Sequence, residues 1–196
     1  MSRFDIRLIL CFNQSDTYQP SAICQRMPMD ETILPEIKVR RAKPSDASAI
    51  GSFLSDATRG RITADRIQIQ ERLGAKGFFL AQTTRIVGLA SVRVENLVAR
   101  VEDLIVHPAS QRPVVGKALL ENIETHASQL QCEVVLLFVH VDSSPSAYEF
   151  YQNCGYQESE MKAWPPAWLN SAAEFGGADR FAMVKRLREQ LVTQPI

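Results

Sequence analysis

Two periods of apolar residues run through the chain. Alternation with basic residues at Ile37-Lys-Val-Arg-Arg-Ala42 predicts a half-buried first strand. Gly77–Gln82 and Arg85–Val94 read as adjacent strands joined by Thr83-Thr84, a hairpin without the favoured Asn-Gly turn. Val98–Val106 is a strand broken only by Arg100, Glu102 and Asp103, and Pro108 ends it because proline cannot donate to a ladder. The near-continuous apolar run over residues 134–141 predicts a central strand buried on both faces. Helical spacing takes over at Ala47, Ile50 and Phe53 after Pro44-Ser-Asp46, and again over Ile67–Leu73, with a polar loop between. A longer helix follows Pro113, with Leu119, Leu120, Ile123, Ala127 and Leu130 on one face. A short one follows Pro145, with Ser143 or Ser144 as N-cap and Gly155 as the stop. The last two strands are expected around Gln157–Glu160 and Arg180–Lys185. Between them, Lys162–Asn170 reads as a connection with two tryptophans and two prolines. Trp164 and Trp168 could line a ligand pocket or a dimer contact, or pack against the domain's own core, which is the preferred reading.

This order predicts an α/β (α+β) sandwich: a mixed, mostly antiparallel sheet flanked by helices, in a single domain. The first strands form an antiparallel meander, and the strand at 134–141 lies parallel to the one at 98–106, across a helix. The domain spans residues 37–190, with a loosely packed extension at 1–36 and a tail at 191–196. The run Leu8-Ile-Leu-Cys-Phe12 is short for a signal peptide, and Met29 is expected to be the native start.

Charge narrows the function. Twenty-two basic residues balance twenty-two acidic ones, so no electrostatic case exists for nucleic acid or a membrane surface as partner. Cys11, Cys24, Cys132 and Cys154 are scattered, which suits a reducing cytoplasm. With only three histidines and no paired ligand spacing, no metal is expected. No Gly-x-Ser-x-Gly elbow and no P-loop occurs. The strand–turn–helix at 98–130 can gather unpaired backbone N–H groups at a helix start, where an anion such as phosphate is favoured. Gln111, Arg112 and Lys117 add donors there. An ordinary turn with basic surface residues is the alternative.

The combination of motifs in this order resembles the core of the GNAT N-acetyltransferase superfamily. Val106-His-Pro108, Gln111-x-x-Val114-x-Gly116 and Ser144-x-x-Ala147-x-x-Phe150-Tyr151-x-x-x-Gly155-Tyr156 match that family's pattern over roughly residues 37–188. The resemblance implies acetyl-CoA as acyl donor. It implies contacts from Leu104, Ile105, Val106, Gln111, Arg112, Val114, Val115, Gly116, Lys117, Ser144, Ala147, Tyr148 and Tyr151. Val114 stands where glycine is usual and Ser144 where asparagine is common. A valine resists positive φ, so the loop can serve phosphate only if Val114 keeps helical dihedrals.

The resemblance implies transfer of acetyl to a primary amine of a small molecule or protein. A lysine-like amine has a pKa near ~10.4, so holding it neutral at pH 7 costs roughly 4.6 kcal/mol. A base or water must take that proton, and the leaving thiolate needs one back. Tyr151 matches the family's tyrosine acid. Glu102 is the expected base, because Val101-Glu-Asp-Leu-Ile-Val106 resembles the strand of spermidine/spermine N-acetyltransferases whose glutamate lies by the acceptor amine. On a regular strand Glu102 and Asp103 point to opposite faces, so they are not expected to act together. The alternative is a non-catalytic acyl-CoA-binding or regulatory module, motivated by Val114. The acceptor and any homodimer are not legible.

Overall fold

The computed structural model describes residues 36–172, 175 and 179–189. The expectations for the N-terminal extension, its start at Met29, Cys11, Cys24 and the tail lie outside them.

Among the described residues, seven strands form one sheet. In chain order they are β1 (Lys38–Arg41), β2 (Gly77–Gln82), β3 (Ile86–Glu95), β4 (Val98–Val106), β5 (Val134–His140), β6 (Gln157–Ser159) and β7 (Arg180–Arg186). Their spatial order is β1-β2-β3-β4-β5-β7-β6, and only β4 and β5 run parallel. The helices are α1 (Ala47–Ala57), α2 (Arg66–Ala75), α3 (Arg112–Gln129), α4 (Pro145–Asn153) and α5 (Pro166–Ala172). The predicted mixed sheet flanked by helices is therefore the fold found.

Each face of the sheet has its own core. On one face, Leu119, Leu120, Ile123 and Ala127 of α3 pack with Phe150 and Tyr151 of α4 over Ala90, Val92, Val101, Leu104, Val135 and Leu137. Gly88 is needed there, because a Cβ on it would meet Val115 at 2.6 Å and Leu119 at 2.9 Å. On the other face the apolar cover is in two pieces. Ile50, Phe53 and Leu54 of α1 and Ile69 of α2 cover Phe78, Leu80, Leu89 and Ile105. Trp164 and Trp168 cover Val134, Leu136, Phe138 and Val184. Ser91 of β3 and Glu102 and Asp103 of β4 lie where the end of α2 reaches the sheet.

The Lys162–Asn170 stretch differs from its expected form as a connection. Pro166 opens the short helix α5, and both tryptophans are buried against β5 and β7, as the core reading preferred. Trp164 Nε1 donates to Ser159 Oγ at 2.7 Å and Trp168 Nε1 to Glu133 Oε2 at 3.2 Å, so each indole N–H keeps a partner. Among the described residues no helix is long and apolar enough to cross a membrane, and no group of three or more His, Cys, Asp or Glu stands where it could hold a metal ion.

Candidate active site

The parallel strands part company. β4 and β5 pair at Val98↔Val134, Ala99↔Val135 and Arg100↔Leu136, and no further. Both strands continue, β4 to Val106 and β5 to His140, each paired along its other edge, with β3 and β7. Buried backbone N–H and C=O groups need partners, so the parted edges form a slot whose main-chain groups an extended chain with amides of its own can pair. α3 begins beyond the end of β4 and α4 beyond the end of β5. Because the strands are parallel, both helix N-termini flank the same end of the slot. That is where ligands of α/β sheets gather.

The α3 entrance is built as the sequence reading needed. Pro113 sits in the first turn, where its missing N–H leaves no bond unmade. Val114 is part of the helix, is not among the residues of positive φ, and is 51% exposed. Its N–H stays in the first turn, where no helical carbonyl lies four residues back. Gln111 is the N-cap and makes no side-chain cap bond. Gln111, Val114 and Val115 line one flank of a groove of about 560 Å³ shared with Ile37, Val87 and Ser110. Lys117 is exposed and 3.8 Å from Glu121, and Arg112 is half-buried.

Other expected contact residues are engaged elsewhere. Gly116 is buried in the α3–α4 contact, where a Cβ would lie 2.9 Å from the Phe150 ring. Its small size serves helix packing. Ser144 is the α4 N-cap by position, yet its hydroxyl meets Ser146 Oγ at 2.9 Å and caps no N–H. Ala147 is buried. Tyr148 packs on Phe181, and its hydroxyl donates to Glu158 at 3.4 Å. Leu104, Ile105 and Val106 bury their side chains on the two faces of β4, so only their backbone can face the slot.

Tyr151 sits in the α3–α4 core with Val101, Leu104, Val135 and Leu137, which line the parting strands. It is 1% exposed, and its hydroxyl is buried with no hydrogen-bond partner. Burial pushes the phenol well above its ordinary pKa, and Cys154 adds in the same direction. Its proton therefore stays on. Tyr156 is also buried with an unpartnered hydroxyl, but Glu124 lies beside it and acts on its titration. Tyr151 has no carboxylate acting on it in that way.

Glu102 stands differently from the expected base. Lys76 Nζ donates to its Oε2 at 2.9 Å, while Arg93 Nε at 2.9 Å and Arg100 Nη2 at 2.8 Å both donate to Oε1. Burial pushes the carboxyl up, and Lys76 and Arg100 outweigh that, holding it at about 2. Such a group is a weak proton acceptor at pH 7, so this geometry favours an ion-pair role for Glu102 over a base.

The expectation that Glu102 and Asp103 face apart is corrected by a bulge. Ser91 pairs with Asp103 and Val92 with Val101, which leaves Glu102 as the extra residue in β4. A bulge re-aims side chains. Both carboxylates consequently reach one ammonium, with Lys76 Nζ also 2.6 Å from Asp103 Oδ2. Ser91 Oγ donates to that same oxygen, and Arg72 Nη2 lies 3.5 Å from it. Asp103 is 1% exposed. Lys76, Arg72, Ser91 and Arg93 were missed by the sequence reading. A basic residue directly before a strand of apolar residues, as at Lys76-Gly77-Phe78, was the available signal.

Comparison with known proteins agrees with this fold. Residues 50–163 match the family model described as an acetyltransferase (GNAT) domain. A glucosamine 6-phosphate N-acetyltransferase from Trypanosoma brucei brucei is 27% identical over 145 residues, 67% of this chain and 96% of that protein. A GNAT-family acetyltransferase from Staphylococcus aureus superposes with a TM-score of 0.60 at 21% identity, covering 78% of this chain and all of that one. A putative acetyltransferase from Salmonella typhimurium, solved with its cofactor acetyl-CoA, gives a TM-score of 0.60 at 17% identity, with 82% and 99% covered. With the family model spanning more than half of its length, the chain belongs to the GNAT acetyltransferase family.

Proposed function

We propose that this protein transfers the acetyl group of acetyl-CoA to a primary amine by direct attack on the thioester. The observation that carries the reading is the Tyr151 hydroxyl, a buried donor with no acceptor in the core that also holds residues of both parted strands. An unmet buried hydroxyl costs about 1–3 kcal/mol, and a leaving sulfur would give it the acceptor it lacks. The residues present fit the donor: an extended slot for an amide-bearing arm, a regular helix entrance for its phosphates and a protonated phenol.

Acetyl-CoA supplies an activated acyl carbon and a thiolate leaving group. In this reading the backbone of Leu104–Val106 orients the arm and the first turn of α3 holds diphosphate charge, with Arg112 and Lys117 adjoining. Tyr151 holds its proton until a strong acceptor arrives, then gives it up. The motive for a non-catalytic binding module is weakened, because Val114 keeps helical backbone at the entrance of α3. The Trypanosoma relative supports a small-molecule amine as acceptor.

Calorimetric titration with acetyl-CoA, then thiol-release assays on polyamines, amino acids, aminoglycosides and amino-sugar phosphates, test this. We expect binding and turnover on at least one class, both competed by CoA. No heat and no thermal protection at millimolar acetyl-CoA would overturn the proposal.

A further inference from the structure

β1 is an edge strand of the sheet, and its first residue, Lys38, lies opposite Gln82 at the end of β2. Gly88 pairs with Val106 at that same end of the sheet, where β4 stops and the chain goes on to α3. The chain that precedes β1 therefore leaves the sheet beside the start of α3. The groove of about 560 Å³ opens there, and Glu36 and Ile37, the first described residues, form part of its wall. Facing them are Val87 of β3 and Val114, Val115 and Ala118 of α3. The groove follows the β1–β3 side of α3. Gly116, about 200° around the helix from Val114, turns the other side to Phe150 of α4. The groove is thus separate from the slot between β4 and β5.

The side-chain alternation of β1 points to its occupant. Successive side chains of an extended chain face opposite ways. Ile37 and Val39 pack on the α3-side core, while Lys38 between them is exposed. Counting back by twos from Ile37 gives Pro35 and then Ile33, both apolar, whereas Leu34 falls on the opposite side. Pro35 favours extended backbone at the residue before it, which preserves the alternation. Residues 1–35 all precede the groove wall, so a tethered occupant is present at high effective concentration. Among the described residues Val114 is left 51% exposed at the groove.

We propose that Ile33 and Pro35 of this same chain fill the groove, carrying the apolar side of β1 onward along α3 and covering Val114. Both residues lie after Met29. The segment then walls the first turn of α3 on its β1 side and leaves the slot open.

Val114→Cys reports the cover. With a bulky maleimide its thiol should react at least ~10-fold more slowly than that of Leu130→Cys, because burying one apolar side chain shifts a docking equilibrium by that much. Leu130, just past the other end of α3 and 47% exposed, is a matched reference. A helix start favours the reactive thiolate, so slow labelling of Val114→Cys would run against the intrinsic order. Mass mapping of peptides separates these thiols from Cys11, Cys24 and Cys154. Ile33→Ser should release the protection, Ile33→Ala should release part of it, and Leu34→Ser should keep it. Equal rates for Val114→Cys and Leu130→Cys overturn the proposal. Protection that survives Ile33→Ser overturns it too, since another segment, such as Leu8–Phe12, then holds the groove. Protection that grows with protein concentration overturns it in favour of a second copy.

Discussion

Gly116 of α3 and Phe150 of α4 are in direct contact, so close that a methyl group on the glycine would sit 2.9 Å from the ring. This contact joins the two helices whose N-termini frame the slot. Gly116→Ala is expected to lower stability by roughly 1–3 kcal/mol through overpacking, despite the better helix propensity of alanine. Urea unfolding measures the loss. Because the ring must shift, acetyl-CoA affinity should fall as well.

Tyr151→Phe separates packing from chemistry. The hydroxyl has no partner to lose, so the variant should be as stable as wild type or up to about 1 kcal/mol more so. Acetyl-CoA binding should persist while kcat drops ~10²-fold or more. Paired melting curves and thiol-release kinetics check this, and a less stable variant with unchanged kcat would contradict it.

Glu102→Gln tests the ion-pair role. The folded carboxyl sits at about 2, against 4.5 for the free group. A depressed pKa stabilises the fold above pH 4.5, and that contribution is lost as pH falls through 4.5 toward 2. The variant should therefore be about 3 kcal/mol less stable at pH 7, with three cations left short of a partner. The gap to wild type should narrow steadily below pH 4.5 in denaturant titrations, and a gap independent of pH would show that the charge does not matter.

Val114→Gly restores the residue usual in the family. Val114 already has helical backbone and an exposed side chain, so the change should gain less than threefold in acetyl-CoA affinity. It should cost a few tenths of a kcal/mol in helix stability. A tenfold tighter complex by calorimetry would mean that the valine obstructs the phosphates.

The strands and long helices were legible because their burial writes a period into the residues. Val98–Val106 is a strand over the very residues expected, and Leu119, Leu120, Ile123 and Ala127 lie buried along one side of α3. Tyr151 was legible as a motif position; its buried, unpaired hydroxyl was not. The seven residues of α5 were not seen either, since Pro165-Pro166 reads as a break before it reads as a first turn. The bulge at Glu102 was invisible for a different reason. Register against β3 is a property of two strands, and nothing in Val101-Glu-Asp-Leu104 announces an extra residue. That one shift reassigns the carboxylates, because alternation alone sends Glu102 and Asp103 to opposite sides. Lys76 followed the same logic: a lysine after a helix is ordinary until the fold sets two acids before it.

The short seam between β4 and β5 has a mechanical consequence. Among the described residues, three ladder pairs and the adjoining Glu133 N–H to Leu97 O bond stitch β1–β4 to β5–β7–β6 along their shared edge. The sheet is in effect two plates riveted at one corner, with the Gly116–Phe150 contact as a second fastening above it. A molecule lodged between the plates would act as a strut, and amides near Val101–Val106 and Leu137–His140 would exchange their hydrogens more slowly with it in place.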